Sequence, residues 1–367
     1  MTPHAAQPPR EPVPAPAPEA APEPEREPEP VRDRPVTAAR IAELAGVSPS
    51  TVSKVINGRP GVGPGTRAAV EEVIGRYGFR RRPVAAKGGV TRPLEVVFHE
   101  LAGPYPVAVL NGVQRVAREH RLAVVLSELQ GDHTTGGGWF EDVLMRRPTG
   151  VVAVFSGPTE AQSHRLRARG IPVVLVDPTG ETGCHSLAVT TGNRAGARDA
   201  VRHLLGLGHR RVAVITGPPS TLSGRARLHG YQDALRQAGV PIAPELVRTG
   251  GFRVEDGLRH ARDLLRLPEP PTAVCAPNDG AAIGVYQAAA EAGREIPREL
   301  SVVGFDDFFP SAWLVPPLTT VRQPLTEMAA AATAMVVSLA RGREIPGRRV
   351  EFAAELVVRG STAPPPR

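Results

Sequence analysis

Residues 37–57 read Thr37-Ala-Ala-Arg-Ile41-Ala-Glu-Leu44-Ala45-Gly46-Val47-Ser48-Pro49-Ser50-Thr51-Val52-Ser53-Lys54-Val55-Ile56-Asn57. Ile41, Leu44 and Ala45 stand at helical spacing and give a first helix one apolar face. Gly46 supplies the positive φ with which a chain leaves a helix. Val47 fills the angle before the next helix. Ser48 is a good N-cap, and Pro49 suits the first helical position, where its missing N–H costs nothing. Val52, Val55 and Ile56 then face inward, leaving Ser50, Thr51, Ser53, Lys54 and Asn57 outward. Two short helices so arranged read as a helix-turn-helix. A helix that buries its β-branched residues and displays hydroxyls, an amide and a lysine suits the edges of a major groove.

The next segment strengthens this reading over that of an ordinary helical hairpin. Val62-Gly-Pro64-Gly-Thr66-Arg67 opens a third helix, whose apolar face is Ala68, Val70, Val73, Ile74 and Tyr77. Ala45-Gly-Val-Ser48, Thr51-Val-Ser53, Asn57-Gly58 and Tyr77-Gly-Phe79 together resemble the headpiece of the lactose-repressor (LacI) family of bacterial transcription regulators.

Charge agrees. The chain has 367 residues and a net charge of +7. Residues 1–35 carry four arginines against seven acids, whereas residues 36–92 carry ten Lys and Arg against three Glu. A basic footprint confined to the headpiece suits phosphate contacts. Residues 1–35, rich in Pro, Ala and Glu, cannot bury a core and read as a disordered tail. The headpiece spans 36–79, and a basic, breaker-rich linker spans 80–92. No run of apolar residues is long enough for a membrane span, no signal-peptide core is present, and Cys184 and Cys275 stand far apart. A reducing cytoplasm is the expected location, with no membrane partner.

From Leu94 onward, apolar runs at Leu94–Phe98, Leu122–Leu126, Val151–Phe155, Val173–Val176, Val212–Ile215, Ala273–Cys275 and Ser301–Val303 alternate with amphipathic segments. Those segments are Val107–His120, Arg198–Leu207, Arg225–Ala238, Val254–Leu267 and Ala281–Ala292. This rhythm predicts two doubly wound α/β lobes over 93–362, with a ligand at the carboxyl ends of the strands. Here too the resemblance continues, through Gly206-Leu-Gly-His-Arg210, Ser301-Val-Val-Gly-Phe305-Asp306-Asp307 and Pro316-Pro-Leu-Thr-Thr-Val321. It implies a type I periplasmic-binding-protein fold with three crossovers. The first lobe is then about 93–190 plus 322–350, and the second about 191–321 plus a last strand near Glu351–Val358.

Enzyme signatures are absent: no phosphate loop, no nucleophile elbow, and Gly103 stands where H-E-x-x-H would need its second His after His99-Glu100. No catalytic residue, metal or cofactor is expected. Thr135-Gly-Gly-Gly138 reads as a flexible loop, and Cys184-His185 as a loop pair. Recognition of a polyol needs carboxylates, an amide, a guanidinium and an aromatic face. By family position, Arg227 grips the effector. Tyr105, Asp177, Ser223, Phe252, Asn278 and Asp306 join it. Asp279 and Asp307 also suit helix caps, Arg225 suits a surface ion pair, and Trp139 and Trp313 suit core or rim packing rather than sugar stacking.

On the DNA side, the resemblance puts Pro49, Ser50 and Lys54 in the base-reading slots. Lys54 stands where the family usually has Arg, so it lacks the planar fork. Thr37, Thr51, Ser53 and Asn57 are expected on phosphates. The linker departs from the family. A hinge helix there usually wedges a leucine into the minor groove, but this chain reads Ala85-Ala86-Lys87-Gly88-Gly89. Arg80, Arg81 and Arg82 are its candidate DNA contacts. The chain thus reads as a homodimeric regulator, more in keeping with a repressor than an activator. Its expected partners are a palindromic operator and a small sugar-like effector. The dimer should pair helices Val107–Arg118 and Ala281–Ala292. The competing classes are a solute-binding protein, a sugar-modifying enzyme, and an activator answering to a non-sugar metabolite.

Overall fold

In a computed structural model, the described residues are 37–56, 59–77, 92–129, 137–155, 157–180, 186–345 and 347–366. Three helices open the chain: α1 (Ala38–Leu44), α2 (Pro49–Ile56) and α3 (Pro64–Tyr77). Ile41, Ala42, Val52, Val55, Ile56, Val70 and Ile74 form their shared core. Gly46 has φ +63°, as the turn requires. Ala68 and Tyr77 are exposed rather than inward, because the inner face of α3 is the narrower stripe of Val70, Val73 and Ile74.

The first lobe is a sheet of six parallel strands in the order β11-β5-β4-β3-β1-β2. They are β1 (Leu94–Phe98), β2 (Val124–Glu128), β3 (Gly150–Val154), β4 (Val173–Val176), β5 (Leu187–Thr191) and β11 (Arg349–Phe352). Its helices are α4 (Pro104–Glu119), α5 (Gly137–Arg146), α6 (Glu160–Ala168) and α11 (Leu325–Ala340). The second lobe has the order β12-β10-β9-β8-β6-β7. Its strands are β6 (Val212–Thr216), β7 (Val247–Thr249), β8 (Ala273–Cys275), β9 (Ser301–Asp306), β10 (Thr319–Arg322) and β12 (Glu355–Val357), the last antiparallel to β10. Its helices are α7 (Asn193–Gly206), α8 (Leu222–Gln237), α9 (Val254–Leu265) and α10 (Asp279–Glu291). The chain crosses between lobes after β5, β10 and β11.

Buried parallel strands read as continuous apolar runs, which is why β1, β3, β4, β6 and β8 are visible in the sequence. Four features differ from expectation. The run from Leu122 pairs only from Val124, because Arg121 takes φ +53° and Leu122 closes the turn onto α4. Gly137 and Gly138 start α5 instead of a loop, with Trp139, Phe140 and Val143 anchoring it in the core. The last stretch is two strands, with β11 in the first sheet and β12 in the second. Trp139 is core, as expected, but Trp313 is 73% exposed.

Candidate effector cleft and nucleic-acid interface

In the headpiece, Thr37 caps α1 by accepting the Arg40 N–H at 3.3 Å. Ser48 Oγ accepts the Thr51 N–H at 3.2 Å and lies 2.8 Å from Ser50 Oγ and 2.9 Å from Thr51 Oγ1. This hydroxyl chain fixes the start of α2 and holds the Ser50 and Thr51 side chains in place. Pro49, Ser50, Ser53 and Lys54 are exposed on one side of α2, while Val52, Val55 and Ile56 are buried on the other. Asn57, Arg80, Arg81 and Arg82 lie outside the described residues.

The cleft lies at the carboxyl ends of the strands. From the first lobe come Tyr105, at the start of α4, and Asp177, just after β4. From the second come Arg227, within α8, and Asp306, closing β9. Arg227 is buried. Its Nε donates to Asn193 Oδ1 at 2.8 Å, its Nη1 donates to the Pro277 carbonyl, and its Nη2 lies 3.6 Å from Asp306 Oδ1. The guanidinium stands 3.7 Å from the Phe305 ring centre and 5.9 Å from that of Phe252, within cation–π range of both in a desolvated place. Asp306 also accepts from Gln323 Nε2.

Asp177 and Asp306 take left-handed backbone angles, φ +47° and +111°. Such conformations cost of order 1–3 kcal/mol each and persist where surroundings over-determine them, commonly at functional sites. Burial pushes the Asp306 carboxyl well above the usual carboxylate range, against the pull of Arg227. It raises Asp177 too, against the pulls of Arg227 and Asn193. The Tyr105 phenol is raised by burial and then by the charges of Asp177 and Asp306. Groups from both lobes therefore share one electrostatic site with more acidic groups than cations. Such a site suits a ligand rich in donor hydroxyls. Phe155, with its ring centre 4.6 Å from that of Tyr105, and Phe308, at 6.3 Å, form an aromatic wall beside it.

Among the described residues, the buried Tyr105 hydroxyl and the Gln323 amide oxygen have no hydrogen-bond partner. Buried polar atoms are nearly always paired, so each leaves a hydrogen-bonding capacity open beside Asp306 and Phe155. The lobes are drawn together. The Leu222 N–H donates to the Thr179 carbonyl at 2.9 Å, and Arg253 Nη2 donates to Glu100 at 3.1 Å. A cavity of about 30 Å³ lies within the second lobe, lined by Val201, Val214, Arg227, Tyr231 and Phe305.

The other three expected residues take these places. Asn278 caps α10, accepting the Ala281 N–H at 2.8 Å. Ser223 is buried in the first turn of α8. Phe252 is half-buried beside Arg227. Asp279 does not cap α10, a role Asn278 takes: it accepts from the Phe308 N–H, Ser311 and Thr320, tying α10 to β10 and to the loop after β9. Asp307 holds Arg322 at 2.7 Å and Arg359 at 2.6 Å instead of capping a helix. Arg225 donates to the Pro219 carbonyl. Asn193, Gln323 and Phe305 were not anticipated. Asn193 and Gln323 follow strands β5 and β10, whose Thr-rich sequences give no apolar run. Phe305 reads simply as a strand residue.

Among the described residues, no group of three His, Cys, Asp or Glu is placed to hold a metal, and no helix is long and apolar enough to cross a membrane.

Comparison with known proteins places this geometry. Residues 39–82 match the family described as bacterial regulatory proteins, lacI family, and residues 201–362 match a periplasmic binding protein-like domain. The chain is 33% identical over 339 residues to the HTH-type transcriptional regulator MalR of Streptomyces coelicolor, covering 89% of this chain and 97% of that protein. It is 31% identical over 329 residues to the ribose operon repressor of Escherichia coli, covering 89% of this chain and 99% of the repressor. Among solved structures, the lac repressor dimer bound to operator and an anti-inducer superposes with TM-score 0.67 at 27% identity, covering 90% of this chain and 100% of that one.

Proposed function

The chain belongs to the lacI family of bacterial regulatory proteins, a DNA-binding transcription regulator and not an enzyme, and we propose that it represses carbohydrate genes under the control of a sugar held between its lobes. The observation that carries this is Arg227. It is fixed by Asn193 and Phe305, and faces the strained, buried Asp306 across from Asp177 and Tyr105. The pairing offers forked donors and carboxylate acceptors to ring hydroxyls. Within this reading, residues 36–79 read DNA, 80–92 link, and 93–362 bind effector and dimerise.

The effector then acts by differential affinity for open and closed lobes. Lys54, Pro49 and Ser50 meet base edges, and Thr37, Thr51, Ser53 and Asn57 meet phosphates, with Arg80–Arg82 following the groove. One headpiece covers few base pairs, so a two-fold pair on a palindrome supplies useful affinity. Two features support a dimer face: exposed Val107 on α4, and the exposed pair Phe309 and Trp313 beside α10, 80% and 73% accessible. The inner side of α10 is already taken by α9, so the adjoining loop offers the larger apolar surface. A thermal-shift screen of pentoses, hexoses and disaccharides tests the effector reading. A hit that Arg227→Ala abolishes supports it, and hits confined to nucleotides or amino acids overturn it.

A further inference from the structure

We propose that the floor of the first lobe, the edge where its strands begin, is a second duplex-DNA surface that grips phosphates flanking the site read by the headpiece. The inference rests on the regulator reading above. All six strands of this sheet are parallel, and their starts are in register: Leu94 lies opposite Val124 and Gly150, Val151 opposite Val173, and Ala188 opposite Arg349. The returning helices therefore end at the same edge. The turns collected there hold Arg118, Arg121, Arg147, Arg341, Arg343 and Arg348, all exposed, against two described acids, Glu119 and Glu344.

Among the described residues, no carboxylate lies within 4.0 Å of Arg118, Arg121, Arg341 or Arg343. Arg118 bonds only to Gln114, and Arg341 reaches His120 at 3.1 Å. Arg341 thereby joins the ends of α11 and α4 into one patch. The Arg169 guanidinium, half-buried near this edge, is pulled down by burial and by the charges of Arg165 and Arg147.

An arginine-rich composition alone does not produce this. The same edge of the second lobe is neutralised: Arg211 lies 3.4 Å from Glu269, Arg262 2.6 Å from Glu291, Arg294 3.5 Å from Glu299, and Arg298 2.7 Å from Glu295. The arginines without a carboxylate partner, Arg118, Arg121, Arg341 and Arg343, sit at the edge where the chain enters the first lobe. β1 starts at that edge, and the headpiece helix α3 packs against α6 of the same lobe, with Gly75 against His164. Six strands spaced ~4.8 Å apart span roughly 24 Å, about seven base-pair steps of duplex. With no leucine in the linker to bend DNA, a flat cationic floor adds affinity by releasing counterions instead.

The test uses the full chain and a random-sequence duplex of about 40 base pairs, over a salt series. The salt slope should fall by about one for each phosphate that an arginine no longer neutralises. Arg121→Gln/Arg341→Gln/Arg343→Gln should lower affinity about tenfold at low salt and flatten that slope. Arg266→Gln/Arg294→Gln/Arg298→Gln, an equal charge loss on the second lobe, should leave both unchanged. Light scattering checks that both variants keep the oligomeric state of the wild type. Equal behaviour of the two variants, whether both unaffected or both weakened, overturns the floor surface alone. A wild-type chain that binds no duplex overturns the regulator reading as well.

Discussion

At the scale of the residue, the cleft is a balance between one guanidinium and several carboxylates. Removing Arg227 strips a partner from Asp306 and Asn193 while both stay buried. Breaking a buried pair on one side costs about 3–5 kcal/mol, so Arg227→Ala should melt markedly lower. It should also bind DNA while ignoring the effector. Arg227→Lys should not restore the response, because an ammonium lacks the planar fork. The outcome against this role is a normal effector response in either variant. Asp306 makes a prediction about pH. Burial pushes its carboxyl up to about 8. Opening the lobes rehydrates it toward about 4, so the open form releases a proton that the closed form keeps. The closed cleft therefore loses stability as pH rises between those values. Small-angle scattering should show expansion from about pH 5 to about pH 8, absent in Asp306→Asn. An unchanging radius of gyration would sink this. On the DNA side, Lys54→Ala should weaken specific binding by about 1–3 kcal/mol and relax preference at one base pair.

At the scale of the element, close helix packing sets what the lobes tolerate. Gly112 lets α4 lie against α11, and a Cβ there would strike the Thr326 carbonyl. Gly112→Ala should cost about 1–3 kcal/mol by overpacking and lower the melting temperature, with secondary structure preserved. An unchanged melt would mean that α4 rides looser than its packing indicates. Much of this layer was legible. Fully buried strands announce themselves as apolar runs, and α9 begins at Val254 as the periodicity requires. Strands β5 and β7 were not legible, because edges and crossovers mix Thr and Arg with Val. The cleft divided in the same way. Asp177 and Asp306 were readable because each stands at a recognisable strand end, and Arg227 because of its position in the family resemblance. Asn193 and Gln323 were hidden because their meaning comes from a crossover that only the folded chain brings beside Arg227.

At the scale of the whole molecule, a lobe pair held by Thr179–Leu222 and Glu100–Arg253 has to communicate with a headpiece through residues 78–91. In the proposed dimer, pairing of two chains would place two headpieces on one duplex. If Phe309 and Trp313 lie in that interface, Phe309→Arg/Trp313→Arg should shift the protein to monomer in light scattering and weaken operator binding more than nonspecific binding. A variant that stays dimeric would move the interface elsewhere. The most direct test of the whole account is operator affinity with and without sugar. The duplex is one selected by the full chain from a random pool, and the sugar is the strongest thermal-shift hit. Allosteric coupling of about 1–3 kcal/mol predicts that the sugar changes the dissociation constant by about 5–150-fold in the wild type and not in Arg227→Ala. An affinity that the sugar leaves unchanged in the wild type, or changes equally in both proteins, would contradict it.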